Sequence, residues 1–117
     1  MMFASLMLFA QDVDRTVGFY AALGLEFSPV GDGRHIGDVG GVRISVVAGS
    51  AGEPVARAGA PGTAMPGFAV SSITHAVADA VACGGVVVRE PERRAWGIRA
   101  VVADPDGRTV EVVQNHE

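Results

Sequence analysis

Few side chains in these 117 residues are equipped for chemistry. The chain has three imidazoles, His35, His75 and His116, and one thiol, Cys83; its nine basic residues are all arginine. The carboxylate that stands out is Glu111, near the end of Trp96-Gly-Ile-Arg-Ala-Val-Val-Ala-Asp-Pro-Asp-Gly-Arg-Thr-Val-Glu-Val-Val-Gln114, with valine on either side. An acid among apolar neighbours costs free energy unless it has a partner or a task. Four roles are open to it: metal ligand, general base, hydrogen-bond acceptor for a ligand, or structural partner of Arg43 or Arg99.

The remaining reactive types add little. No two histidines stand at i, i+4 or on mated strand positions, so they read as surface or loop residues; only His35, which opens a strand, could face either way. Cys83 falls near a helix end before Gly84 and reads as a small apolar side chain; a single cysteine excludes a disulfide framework and any multi-cysteine metal site. Net charge is −4 and the arginines are scattered, which argues against nucleic acid as a partner. The apolar opening Met-Met-Phe-Ala-Ser-Leu-Met-Leu-Phe-Ala is too short to cross a bilayer and lacks a basic leader, so it reads as a strand in a cytoplasmic protein with no membrane partner.

The elements that must position Glu111 come in two sets. Met2 to Ala10 has strand character. Asp12 then caps a helix carrying Val13, Val17, Tyr20 and Ala21 until Gly24, and strands follow at Leu25–Val30, Arg34–Asp38 and Val42–Val47. Gly31-Asp32-Gly33 and Gly40-Gly41 supply the turns. After a Gly/Ala/Pro-rich connector (49–62) the order returns. Met65–Ser71 is a strand, and Ser72 caps a helix with Ile73, Ala76, Val77 and Ala80 on one face. Strands at Val86–Arg89, Ile98–Ala103 and Thr109–Gln114 complete the set. Caps Asp12 and Ser72, stops Gly24 and Gly84, and face residues Val13/Ile73 and Val17/Val77 each repeat after 60 residues; the closing strands repeat after 66.

Two copies of one βαβββ unit predict a single α+β domain: module one over 1–48, module two over 63–117, in a pseudo-symmetric mixed sheet around a cavity. Strand alternation then assigns faces. Leu6, Leu8, Ile44, Val46, Val110 and Val112 belong under the helices. Phe3, Ser5, Met7, Phe9, Arg43, Ser45, Val47, Thr109, Glu111 and Val113 belong on the opposite, cavity face. Ser45 and Glu111 are mates, as are Ser5 and Met65.

Asp12-Val-Asp-Arg-Thr-Val-Gly-Phe-Tyr20 with Leu23-Gly24, together with Asp104-Pro-Asp-Gly-Arg-Thr-Val-Glu111, resembles the glyoxalase/bleomycin-resistance/dioxygenase group, the vicinal oxygen chelate superfamily. Metal-dependent members draw His and Glu ligands from the opening and closing strands of each module. On this chain those positions are Ser5, Met65, Ser45 and Glu111, and only Glu111 is a competent ligand for a divalent metal. The resemblance therefore implies no metal and no other cofactor. Trp96-Gly-Ile-Arg99 leading into Asp104-Pro-Asp-Gly107 is similar to the metal-free branch that confers resistance to bleomycin-like and mitomycin-like drugs. Its members are dimers that sequester a drug without changing it.

That branch implies a homodimer holding a flat, partly cationic natural product, and no catalytic residues. Trp96 would stack on the ligand. Ser5, Met7, Phe9, Ser45, Val47 and Met65 would line the pocket, and Glu111, with Arg99 near, would accept a hydrogen bond. The alternative is an enzyme: a glyoxalase-like lyase or isomerase with a displaced metal, or a metal-free catalyst using Glu111 as base. Asp104, Asp106 and Gly107 read as turn chemistry, and Phe19-Tyr20 as core.

Overall fold

The computed structural model describes residues 1–31, 33–49, 61 and 63–116; most of the connector and Asp32 of the first predicted turn lie outside them. The elements run β1 (Ser5–Ala10), α1 (Val13–Ala22), β2 (Phe27–Pro29), β3 (His35–Val39), β4 (Val42–Ala48), β5 (Gly67–Ala69), α2 (Ile73–Ala82), β6 (Val86–Arg94), β7 (Gly97–Ala103) and β8 (Thr109–Asn115). The strands form two four-stranded sheets, ordered β1-β4-β3-β2 and β5-β8-β7-β6. In each, the opening strand pairs parallel to the closing strand and the other pairs are antiparallel. The doubled βαβββ unit, the α+β class and the pseudo-symmetry are all present.

Both helices begin where their caps stand. The Asp12 side chain accepts from Arg15 N at 3.2 Å, and the Ser72 hydroxyl from His75 N at 3.4 Å. The amide of Ile73 also donates to Gln114 Oε1 at 2.8 Å, so β8 ties down the start of α2. Each helix stops at a glycine with positive φ, Gly24 and Gly84. Ile73, Ala76, Val77 and Ala80 are buried as the helical spacing demands. In α1 the buried set is Thr16, Phe19 and Tyr20, while Ala21 is exposed. The apolar stripe is rotated because Phe19 and Tyr20 reach toward module two.

One hydrophobic core serves both modules. Leu8, Ile44 and Val46 cover it from one sheet, Ala100, Val102, Val110 and Val112 from the other. Phe19 seals the seam by lying on Gly85 at the end of α2; a Cβ there would stand 2.6 Å from the Phe19 ring. Tyr20 packs edge-on against both Phe19 (centroids 4.9 Å apart) and Phe68 of β5 (6.0 Å). Strand bounds shift by a residue or three at most ends. The exception is β6, which continues through Pro91 to Arg94 where a loop was expected. It does so with register breaks on both sides of Arg89, the device by which an edge strand accommodates proline.

Candidate functional site

With the core sides of the sheets buried, the opposite faces are open, and the alternation places Met7 and Phe9 of β1 on one of them, while Phe3 lies ahead of β1 and lines a cleft with Leu6 and Ile44. Phe3, Met7 and Phe9 are 67%, 48% and 59% exposed, large values for apolar side chains. Ser5 and Arg43 are register partners at the start of the same face and both are exposed. Ser45 is register partner to Met7 and is buried, and Val47, beside Phe9, is half-buried. In sheet two the partner of Glu111 on the opening strand is Gly67. Met7 and Gly67 are 60 residues apart and Ser45 and Glu111 are 66 apart, so the repeat holds down to individual register pairs.

Glu111 is half-buried and paired. Arg99 Nε donates to its Oε2 at 2.5 Å, from a neighbouring position on β7. Its other oxygen folds over Gly67, where an added Cβ would lie 3.0 Å from Oε1. Of the roles open to this acid, the structure fills that of ion-pair partner, and the partner is Arg99. The charges have 23% and 32% of their side-chain surface exposed, which leaves the pair reachable from solvent.

The residues present do not fit a divalent metal. The four mated positions offer two hydroxyls, a thioether and a carboxylate that already holds a guanidinium. Among the described residues no group of three or more His, Cys, Asp or Glu is placed to hold a metal ion. His35 does not rebuild the site: its register partner is Val46, a core residue, so it stands on the helix side of its sheet, away from Glu111. Its Nδ1 is buried without a hydrogen-bond partner among the described residues. His75 and His116 are exposed.

Trp96 and Glu111 are not brought together. Trp96 occupies the tip of the β6–β7 hairpin, 45% exposed, and its carbonyl accepts from His116 N at 3.1 Å. His116 is five residue steps beyond Glu111, roughly 16 Å along an extended strand. Hairpin register thus sets the indole at one end of the sheet and the acid near its middle. Met65 lies just before β5 with Phe3 across from it. The two flank an apolar cleft of about 460 Å³ walled by Leu6, Val42, Pro66 and Phe68.

What the residue pattern left as turn and core chemistry is a second polar cluster, joining the modules. The buried Tyr20 hydroxyl donates to Asp104 Oδ2 at 2.6 Å, and Arg108 Nη1 donates to the same oxygen. Arg108 Nη2 reaches the Phe9 carbonyl at 2.8 Å. Asp106 accepts from Gln11 N at 2.9 Å and from Thr16 Oγ1 at 2.8 Å. Burial, with the Asp104 charge beside it, pushes the Tyr20 phenol far above the usual tyrosine range. The signal in the sequence was the tyrosine itself: a buried phenol needs a polar partner, and the acidic turn is the nearest source in the fold.

With this geometry in hand the comparisons are decisive for family. A profile of the glyoxalase/bleomycin resistance protein/dioxygenase superfamily matches residues 3–112. The chain belongs to that superfamily. The fold of this glyoxalase-superfamily chain recurs in a glyoxalase/bleomycin resistance protein from Albidiferax ferrireducens T118 (22% identity, 99% of this chain and 100% of that one, TM-score 0.76). It recurs also in a glyoxalase-related enzyme from Fulvimarina pelagi (23% identity, 98% and 88%, TM-score 0.75). An integron cassette protein from the mobile metagenome of V. cholerae is similar as well (25% identity, 97% and 94%, TM-score 0.66). No curated protein matches the sequence significantly. Among the described residues no helix of this superfamily member is long and apolar enough to cross a membrane.

Proposed function

We propose that this superfamily member is a metal-independent binding protein that sequesters a small organic molecule, of the kind that antibiotic-resistance members hold, on the open faces of its sheets. The observation that carries the reading is the Glu111–Arg99 ion pair. The only competent ligand among the four mated positions is neutralised by a guanidinium, and the open face of the other sheet presents the adaptable apolar side chains of Met7 and Phe9. Among the described residues the only side chain paired with Glu111 is Arg99, which serves as neither nucleophile nor ready proton donor, so binding without conversion is the simpler chemistry. A second copy of the chain would cover Met7 and Phe9 and turn each open face into a groove. The single, unbridged Cys83 suits a cytoplasmic setting.

The test is thermal unfolding with a panel of bleomycin-like and mitomycin-like drugs, alongside elemental analysis of the protein as purified. A bound ligand at 100 times its Kd adds about 2.7 kcal/mol of stability, a readily measured rise in Tm. Because Trp96 is the only tryptophan, its fluorescence locates the ligand: quenching marks the hairpin tip, and an unchanged signal marks the middle of the sheet. Stoichiometric zinc, nickel, iron or manganese, or a panel widened to neutral and acidic aromatic compounds in which none stabilises the protein, would overturn the reading.

A further inference from the structure

Among the register-paired residues on the Glu111 face of sheet two, positive charges outnumber negative ones. Register places Arg89 beside Val101, and Val101 beside Glu111; in the next row Glu92 lies beside Arg99, and Arg94 follows at Gly97. Directly paired residues share a face, so three guanidiniums (Arg89, Arg94 and Arg99) and two carboxylates (Glu92 and Glu111) stand together. Arg94 and Glu92 form a loose pair at 3.7 Å, and Arg99 is paired with Glu111. Arg89 has no ion pair among the described residues and is exposed. The breaks in β6 register on either side of it are the irregularity that re-aims a side chain.

Arg99 is only partly satisfied. Its single hydrogen bond among the described residues runs from Nε, which leaves the four Nη hydrogens of the fork to be met by something else. Glu111 holds the guanidinium in place without occupying those donors. Between the two arginines Val101 is only 5% exposed although it lies on the open face, so the floor of the spot is apolar and shielded. A guanidinium fork over an apolar floor matches a planar carboxylate, and a charged hydrogen bond there is stronger than in water. An ammonium at the same spot would meet two guanidiniums, with Glu111 already held by Arg99 and Glu92 by Arg94.

We propose that the inner face of sheet two binds the carboxylate of a small organic acid on the Nη groups of Arg99, with Arg89 as the second donor and Glu111 as the positioning residue. The inference rests on the binding reading above and names its ligand class: anionic where the motif resemblance implied a cationic one. It assigns Arg89, the last residue of the predicted strand Val86–Arg89, a place in the site.

Three probes sharing one ring system test it by calorimetric titration: 1-naphthoate, 1-naphthylmethylammonium and the neutral 1-naphthalenemethanol. Naphthoate should bind about 10-fold or more tighter than the alcohol, and the ammonium no tighter than the alcohol. Arg99→Gln should reduce naphthoate to the level of the alcohol, and Arg89→Gln should weaken naphthoate several-fold and narrow its margin over the alcohol. Glu111→Gln removes the competing acid and should preserve or strengthen naphthoate binding. Should Arg99→Gln fail to fold, the exposed Arg89 variant and the charge series on the unaltered protein still decide the matter. Equal affinity for all three probes, or no binding of any, overturns the proposal. Preference for the ammonium that is lost in Glu111→Gln overturns it too, yet leaves ligand sequestration intact, which the drug panel tests separately.

Discussion

Tyr20 shows how one residue converts burial into a measurable property. Its ring is core, but its hydroxyl is held by Asp104. Removing that hydroxyl in Tyr20→Phe leaves a buried carboxylate short of a donor and should cost about 1–3 kcal/mol, read as a lower denaturant midpoint at unchanged m-value. The pH dependence has a definite sign. The folded state holds the phenol protonated well beyond the ordinary pKa of about 10, so its contribution is complete below that pH and is lost as pH rises above it. As Tyr20 is the only tyrosine, tyrosinate absorbance should stay absent past pH about 10 and then appear together with loss of ellipticity. A tyrosinate signal that titrates near pH 10 in the folded protein would contradict this. Gly67 is the corresponding residue at the candidate site. Gly67→Ala should displace the Glu111 carboxylate and loosen the Arg99 pair at a cost of about 1 kcal/mol, with a matching change in the Arg99 Nε–H resonance.

Among the elements, the turn from Asp104 to Arg108 has more to do than reverse the chain. It is longer than its counterpart Gly40-Gly41, and the extra residues carry the side chains that reach α1 and the end of β1. At the pseudo-symmetric place, where the short glycine turn meets β5, the apolar cleft beside Val39 and Val42 stands instead. Asp106→Ala removes two bonds between modules without touching the core, and should lower stability by about 1–2 kcal/mol, roughly 4 °C in Tm for each kcal/mol. A Tm within a degree of the unaltered protein would show that this clasp contributes little. Both turns were legible as turns from Gly and Asp-Pro, because turn chemistry is local. The partners of the acidic turn were not, since Gln11 and Thr16 lie 95 and 90 residues away in the chain.

For the whole molecule, the tandem repeat builds one core and leaves two faces uncovered. The exposed Met7 and Phe9, side by side on one face of β1, are the kind of apolar surface that self-association removes from water. A homodimer is therefore expected in sedimentation equilibrium, and Met7→Glu combined with Phe9→Glu should shift it to monomer while leaving the far-ultraviolet circular dichroism unchanged. A protein that sediments as a monomer at micromolar concentration before any substitution would refute the dimer.

The sequence by itself determined the element order, the helix caps and stops, the repeat, and which strand residues face the core. These follow from short-range rules: periodicity of two or near 3.6, capping chemistry and the conformational freedom of glycine. It also determined that the mated positions Ser5, Met65, Ser45 and Glu111 hold a single carboxylate, one good ligand out of four for the metal site that the family resemblance implied there. Only the tertiary structure decided that Glu111 is paired with Arg99, that Arg89 shares their face through a bulged strand, and that Trp96 stands a hairpin's length away. It alone set Tyr20 against Asp104 across the module seam. Each of these depends on strand register and on packing between distant segments, where a shift of one residue moves a side chain to the other face.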